Sequence, residues 1–502
     1  MTTRKFHGQE VRGLDAVPRS VLREGRFGRL FRNLPPLRPR DRDLEALAKE
    51  MVEPEPGKDG EDPAGDNPDI SAGFTYFGQF VDHDLTFDTT SRLQRDNDPD
   101  AIVNFRTPRL DLDSVYGAGP GDQPFLYADD GMHFLIGRNA AGEEDLPRNA
   151  DGRTLIGDPR NDENLIVAQL HLAFLKYHNR VLDALTAVPE AERFDTARRI
   201  VRWHYQWAVV HDFLVKLVGR VVVDDILQPD RFTVPGKGTP QRVRTLRVVL
   251  KFFHWRNEPF MPVEFAVAAY RFGHSMVRGE YELNEDVQDV PIFAKDPEPD
   301  LRGFRELPTG HVIQWARFFH FDGAQAELQP ARLIDTKLAF GLHILPDVVT
   351  KGEANPIVDF RIHALAERNL KRGKALGLPS GQDVARRMGI PEHLILRPGD
   401  LGRAGDPTGT SLPDHLVEVF GEATPLWFYI LKEAEIFRSG RSLGPVGGRI
   451  VSEVLLGLLA GGPFSFLNVR PTWRPKRGEF GAPKDGVFGV ADLLRFAGVR
   501  IE

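Results

Sequence analysis

The chain has no cysteine in its 502 residues. Disulfides, zinc–thiolate sites, iron–sulfur clusters, thiolate-ligated iron and a cysteine nucleophile are therefore excluded. It also lacks a long apolar run: the longest, Val454 to Ala460, is far too short to cross a bilayer, so no membrane span is expected. The start, Met1-Thr2-Thr3-Arg4-Lys5-Phe6-His7, leads into polar sequence without the apolar core of a secretory signal. The expectation is a cytoplasmic protein, with signal-independent export as the alternative. No His-Glu-x-x-His motif and no internal repeat occurs. Nor is there a basic excess. A net charge of −7 and a pI of about 6.1 give no electrostatic reason to expect a nucleic-acid partner.

What is present is an ordinary globular composition, 41% hydrophobic and 27% charged, enough to bury a sizeable core. Residues 1–70 are rich in Pro, Gly and charge, as in Leu34-Pro35-Pro36-Leu37-Arg38-Pro39-Arg40. They read as an extended arm packed on a core, with one short helix near Leu44–Met51. Helical periodicity then takes over. Phe74, Phe77, Gly78, Val81 and Leu85 share one face, behind Ser71 as a candidate N-cap. Ile166 to Leu185 and Ile200 to Leu217 carry two more stripes. Glu264–Met276 and Val451–Leu459 are further helical candidates, and Arg244–Leu250 is the best strand. The Pro/Gly-rich stretches 285–300 and 373–410 read as connections. The expectation is a mainly α protein with little β structure, its residues 71–502 forming one large helical domain.

The most informative segment is Phe77-Gly78-Gln79-Phe80-Val81-Asp82-His83-Asp84-Leu85. Ionisable groups in so apolar a helix are costly unless paired, bonded or ligated. Gln79 and His83, four apart, share a face, while Asp82 and Asp84 point about 100° to either side. Alone, a histidine beside a carboxylate is more often a structural pair. Thr107-Pro108-Arg109-Leu110-Asp111-Leu112-Asp113 offers alternating oxygen donors. With Asp84 these suit a hard cation such as calcium, or equally a solvated turn. Gly157-Asp158-Pro159-Arg160-Asn161-Asp162-Glu163 reads alone as an acidic helix start. His274, in Arg271-Phe272-Gly273-His274, reads alone as a satisfied core histidine, although Gly273 would admit a flat cofactor close to the backbone. Glu367-Arg368-Asn369-Leu370-Lys371-Arg372 resembles a helix C-terminus.

Together and in this order, Gln-x-x-Asp-His-Asp, Thr-x-x-x-Asp, Arg-x-x-Glu and Arg-x-Gly-His resemble the animal-type haem peroxidases, the superfamily of myeloperoxidase and thyroid peroxidase. The resemblance runs from about Phe74 through Asn369, and more faintly to Thr424-Pro425-Leu426-Trp427 and Leu443-Gly444-Pro445. It implies a bacterial-type haem peroxidase that reduces hydrogen peroxide to water. Its donor would be bromide, iodide, thiocyanate or a small phenol or other aromatic. In the roles it implies, His83 is the distal acid–base, Arg160 the distal arginine and Gln79 a hydrogen-bonding partner of distal water or halide. Asp82 and Glu163 would ester-link haem b. His274 would ligate its iron, with Asn369 accepting the ring's Nδ1 proton. Arg271 and Arg372 would pair with haem propionates. Asp84, Thr107, Arg109 (through its carbonyl), Asp111 and Asp113 would bind Ca2+.

Two positions depart from the family pattern. Asn164 stands where myeloperoxidase has a haem-linking methionine, which argues against strong chloride oxidation. Asp113 replaces a serine but remains an oxygen donor. A fatty-acid dioxygenase of the same superfamily is the nearest rival. Its radical tyrosine would fall at Arg271, one residue from Tyr270. A non-catalytic haem- or calcium-binding adhesion-type protein is a rival of another class, although it would not need His83 or Arg160. His171 and His178, about two helical turns apart, read as structural.

Overall fold

The computed structural model describes residues 25–55, 61–87, 103–104, 106–234, 241–294, 299–343, 345 and 363–502. Helix makes up 44% and strand 10%, which is the mainly α architecture expected. Helices α1 (Asp41–Glu50), α2 (Gly73–Leu85), α3 (Asp113–Tyr116), α4 (Leu165–Ala184), α5 (Glu190–Ala208), α6 (Leu365–Ala375), α7 (Leu426–Arg438) and α8 (Pro445–Gly461) carry the core and the candidate site. Strands β1 (Gly25–Gly28) and β2 (Asp66–Ser71) pair only with short segments, β1 with Val103–Asn104 and Met261–Pro262, and β2 with Pro330–Arg332. Strands β3 (Leu227–Val234) and β4 (Gln241–Val248) form an antiparallel hairpin, with Leu227 opposite Val248. The strand expected at Arg244–Leu250 is the second half of β4; its partner β3, interrupted by Pro229 and Asp230, gives no alternating pattern.

Helix α2 is the axis of the fold. Phe77, Phe80, Val81 and Leu85 are fully buried, each side chain stabilising by roughly 1.5–3 kcal/mol. Phe80 stacks on Phe174 of α4, and Phe77 meets Phe213 edge-on. Phe213 lies in a π-helical turn, Val209–Phe213, that continues α5. Two glycines allow the close approach. A Cβ on Gly73 would lie 2.5 Å from the Phe318 carbonyl oxygen, and one on Gly78 would lie 3.1 Å from the Phe213 ring. The expected N-cap, Ser71, is instead the last residue of β2. The first N–H groups of α2 need no side-chain cap because tertiary carbonyls take them: Ala72 donates to Gln329 O and Gly73 to Phe318 O.

Two more expectations are corrected. Glu264–Met276 is not one helix. A single turn, Val263–Ala266, breaks at Ala268 (φ −128°, ψ −70°), and a 3-10 turn, Ala269–His274, follows. Contacts with neighbouring helices hold this tighter geometry: Trp427 Nε1 of α7 donates to Arg271 O, and Tyr270 OH of the turn donates to Gly78 O on α2. The stretch 373–410 is not only connection. It holds a helix, Gly381–Met388, capped by Ser380 and ended by Gly389 at φ 72°. Its eight residues are too few for a stripe to stand out among prolines and glycines.

Of the expected arm, residues 1–24 lie outside the described residues. Residues 25–55 lie against the core: Glu264 accepts the N–H groups of Leu30 and Phe31, and Arg29 donates to Leu376 O and Gly377 O. The short helix expected near Leu44–Met51 is α1.

Candidate haem and calcium sites

Four segments distant in sequence meet around α2. His83 is buried, while Gln79 and Asp82 on the same helix are half-exposed. His83 Nδ1 lies 2.8 Å from Asn161 Oδ1, and Asn161 Nδ2 lies 2.9 Å from His171 Nδ1. An amide oxygen only accepts, so His83 donates to it through Nδ1, which leaves Nε2 as the ring nitrogen turned toward Glu163. That Nε2 is 3.4 Å from Glu163 Oε1, which also receives Gln79 Nε2 at 2.5 Å. Burial alone would raise the Glu163 carboxyl, but His83, Arg160 and Gln79 outweigh it and hold it below the usual range. Burial pushes His171 down to about 3, so it stays neutral.

Arg160 lies beside His83. Its Nη2 donates to the His83 carbonyl at 3.0 Å, and its guanidinium lies 4.5 Å from the centre of the Phe87 ring. Asp158, fully buried, fixes it with bonds to the Arg160 N–H, Nε and Nη2. Burial would raise Asp158, but Arg106 and Arg160 hold its carboxyl far below the ordinary range. Glu163 follows the 3-10 turn Pro159–Asp162, and Asn164 then caps α4 by accepting the Ile166 N–H at 2.8 Å. The residue at the departing position 164 is thus committed to the helix start.

His274 ends its 3-10 turn half-exposed, beside Gly273, where an added Cβ would meet nothing within 4 Å. Open space above a glycine next to a histidine fits a flat cofactor against this turn. Burial, aided by Arg271, lowers His274 to about 3. It is therefore neutral, as an iron ligand must be. Asn369 of α6 contacts His274 Nδ1 at 2.8 Å, but through its amide nitrogen. Its oxygen accepts Arg271 Nη1 at 2.7 Å. This reverses the expected direction, because a guanidinium has no acceptor and claims the amide oxygen. Arg271, expected at a propionate, here bonds Asn369 and Ala266 O. Arg372 lies half-buried on the same helix as Asn369.

On the far side of α2, carboxylate oxygens of Asp84, Asp111 and Asp113 all lie within 4.8 Å of one another. Thr107 Oγ1 is 3.2 Å from Asp111 and 3.3 Å from Asp113. Asp84 also accepts Leu112 N–H and Ser114 Oγ, each at 3.2 Å. Burial, then the charges of Asp113 and Asp111, push Asp84 well above the carboxylate range; burial above all lifts Asp113 to about 7. Asp113 Oδ1 is buried without a hydrogen-bond partner. Crowded, mutually repelling carboxylates with an unused oxygen fit a hard cation with oxygen ligands. The Arg109 carbonyl accepts Asp111 N–H within this loop.

With this geometry in view, likeness to known proteins is informative. Residues 90–298 match the family model described as animal haem peroxidase. That span contains the loop 107–113, Arg160, Glu163 and His274. Thyroid peroxidase of Mus musculus is 25% identical over 74% of this chain and 39% of its own length. The family match and this relative support membership of the animal-type haem peroxidase superfamily. The chain spans about two fifths of the length of that relative and of the Rattus norvegicus thyroid peroxidase, which is 24% identical. In fold, peroxidase A from Dictyostelium discoideum superposes with a TM-score of 0.60 at 15% identity, over 89% of this chain and 88% of that one. A fatty acid alpha-dioxygenase of Arabidopsis thaliana superposes at 0.54 with 14% identity, over 94% and 75%. Among the described residues, no helix is long and apolar enough to cross a membrane.

Sequence reasoning missed Asn161, His171 as a partner, Asp158 and Arg106. An Asn beside Arg160, and an Asp two residues before it, were in plain view, but only their distant partners give them meaning.

Proposed function

We propose that this protein is a haem peroxidase that consumes hydrogen peroxide. Its donors would be bromide, iodide, thiocyanate, or small phenols and other aromatics. The observation that carries the reading is a pair of side chains: an imidazole held through Nδ1 by Asn161, and a guanidinium tied to that same histidine's carbonyl. Haem, when bound, supplies an iron that takes up the oxidising equivalents of peroxide. His83 Nε2 accepts a proton from the incoming peroxide and returns it to the oxygen that leaves as water. Arg160, held rigid by Asp158, stabilises the charge that develops on that oxygen. His274 would hold the iron, oriented through Asn369. Asp82 and Glu163, both half-exposed, would form the ester links. The Asp84–Asp111–Asp113 cluster, with Thr107 and the Arg109 carbonyl, would hold Ca2+.

The test is expression with haem and calcium, a Soret spectrum, and steady-state turnover of bromide, iodide, thiocyanate and a phenol with peroxide. Haem uptake and peroxide-dependent oxidation of at least one donor are expected. A chain that incorporates oxygen into a fatty acid and ignores these donors would be the dioxygenase instead. Tyr270, the residue nearest that chemistry, is buried with its hydroxyl on the Gly78 carbonyl at 3.2 Å.

A further inference from the structure

A buried row of alternating charges joins the calcium cluster to the distal arginine. Asp113 Oδ1, otherwise without a partner, lies 3.6 Å from Arg106 Nη1. Arg106 turns its other edge to Asp158, with Nε at 2.9 Å and Nη2 at 2.5 Å from Oδ2, and Nη2 also reaches Gly157 O at 3.1 Å. Asp158 holds Arg160, and Arg160 holds the His83 carbonyl. Arg106 is 8% exposed and Asp158 wholly buried, so solvent screens this row weakly.

We propose that Arg106 is a positioning residue that couples occupation of the cation site to the setting of Arg160. The inference rests on the calcium reading above. One guanidinium faces two carboxylates. A cation on Asp113 takes over that carboxylate and repels Arg106, leaving the fork to Asp158 and fixing Arg160 beside His83. Without the cation, Asp113 competes for Arg106 and Asp158 is held less firmly. The coupling is reciprocal. It also has a sign that a purely structural role lacks: Arg106 opposes the cation while it supports the arginine.

The test uses the full chain with haem, in the parent, Arg106→Gln and Arg106→Lys. Affinity is read with terbium luminescence at the cation site, and distal function as the rate of reaction with hydrogen peroxide. In Arg106→Gln, terbium should bind about tenfold more tightly, since a nearby positive charge is gone, while the peroxide reaction slows about tenfold. Arg106→Lys should restore the weaker terbium binding but not the rate, because an ammonium lacks the two-pronged edge. Weaker terbium binding in Arg106→Gln, or an unchanged peroxide rate, overturns the proposal. If the variants do not fold, the parent still decides. Chelation of calcium should shift the Nε–H resonance of Arg160, assigned by its loss in Arg160→Lys, and an unmoved resonance overturns the coupling. A parent that takes up no terbium overturns the calcium reading itself, and the coupling with it.

Discussion

His83 shows how much one side chain depends on neighbours that do no chemistry. Asn161 sets which ring nitrogen carries the proton, and His171, kept neutral by burial, sets which way Asn161 faces. Asn161→Ala should slow the reaction with peroxide about tenfold or more, because part of the base's contribution needs the right tautomer. In 15N NMR the His83 ring should show a protonated Nδ1 in the parent and a mixture in the variant; a parent proton on Nε2 would remove the argument. At this scale the sequence was readable where residue type and spacing are themselves the signal. Gln79, His83 and Asp84 fall close together on one helix, and Asp111 and Asp113 alternate in one loop. Asn161 and Arg106 were not readable, because their partners lie 78 and 52 residues away in the chain. The direction of the Asn369 amide does not follow from its own segment, because Arg271, which decides it, lies 98 residues away.

At the scale of elements, α2 presents three adjacent residues to three surroundings. Asp82 is half-exposed, His83 meets Asn161 and Glu163, and Asp84 joins the carboxylate cluster. Three different defects should follow. Asp82→Ala should raise the fraction of haem extracted by acid acetone while peroxide still reacts. Asp84→Ala should lose calcium and lower the melting temperature. His83→Ala should keep both haem and calcium. Metal analysis, extraction and calorimetry on the three variants check this; one shared defect would mean that the helix had simply unfolded. The α2 stripe was legible from its periodicity, whereas the start of α2 was not, since carbonyls of residues 318 and 329 cap it. Likewise the apolar run around His274 has helical spacing, yet Trp427 and Tyr270 draw it into a tighter turn.

In the molecule as a whole, backbone donors meet some of the buried carboxyl groups. Glu433 of α7 is fully buried and accepts the first N–H groups of α8, from Val446 and Gly447. Burial lifts its carboxyl to about 8. With a folded value above the unfolded one, the group favours the folded state at low pH, and that stability is lost as pH rises from the ordinary carboxylate range through about 8. Glu433→Gln, which keeps an acceptor but no charge, should therefore melt with a weaker decline between pH 5 and 8 than the parent. Parallel curves would show that Glu433 does not titrate there. The mainly α architecture was legible from stripes on α2, α4 and α5. The docking of residues 25–55 through Glu264 was not, because Glu264 looks like an exposed helix residue until its two backbone partners are seen.

The central claim is that His83 carries the proton of peroxide. Stopped-flow mixing of the haem-loaded parent and His83→Ala with hydrogen peroxide, followed at the Soret band, tests it most directly. The variant should bind haem with an unchanged ferric spectrum and react about a hundredfold or more slowly. A variant that reacts as fast as the parent would contradict the role given to His83 and the distal site built around it.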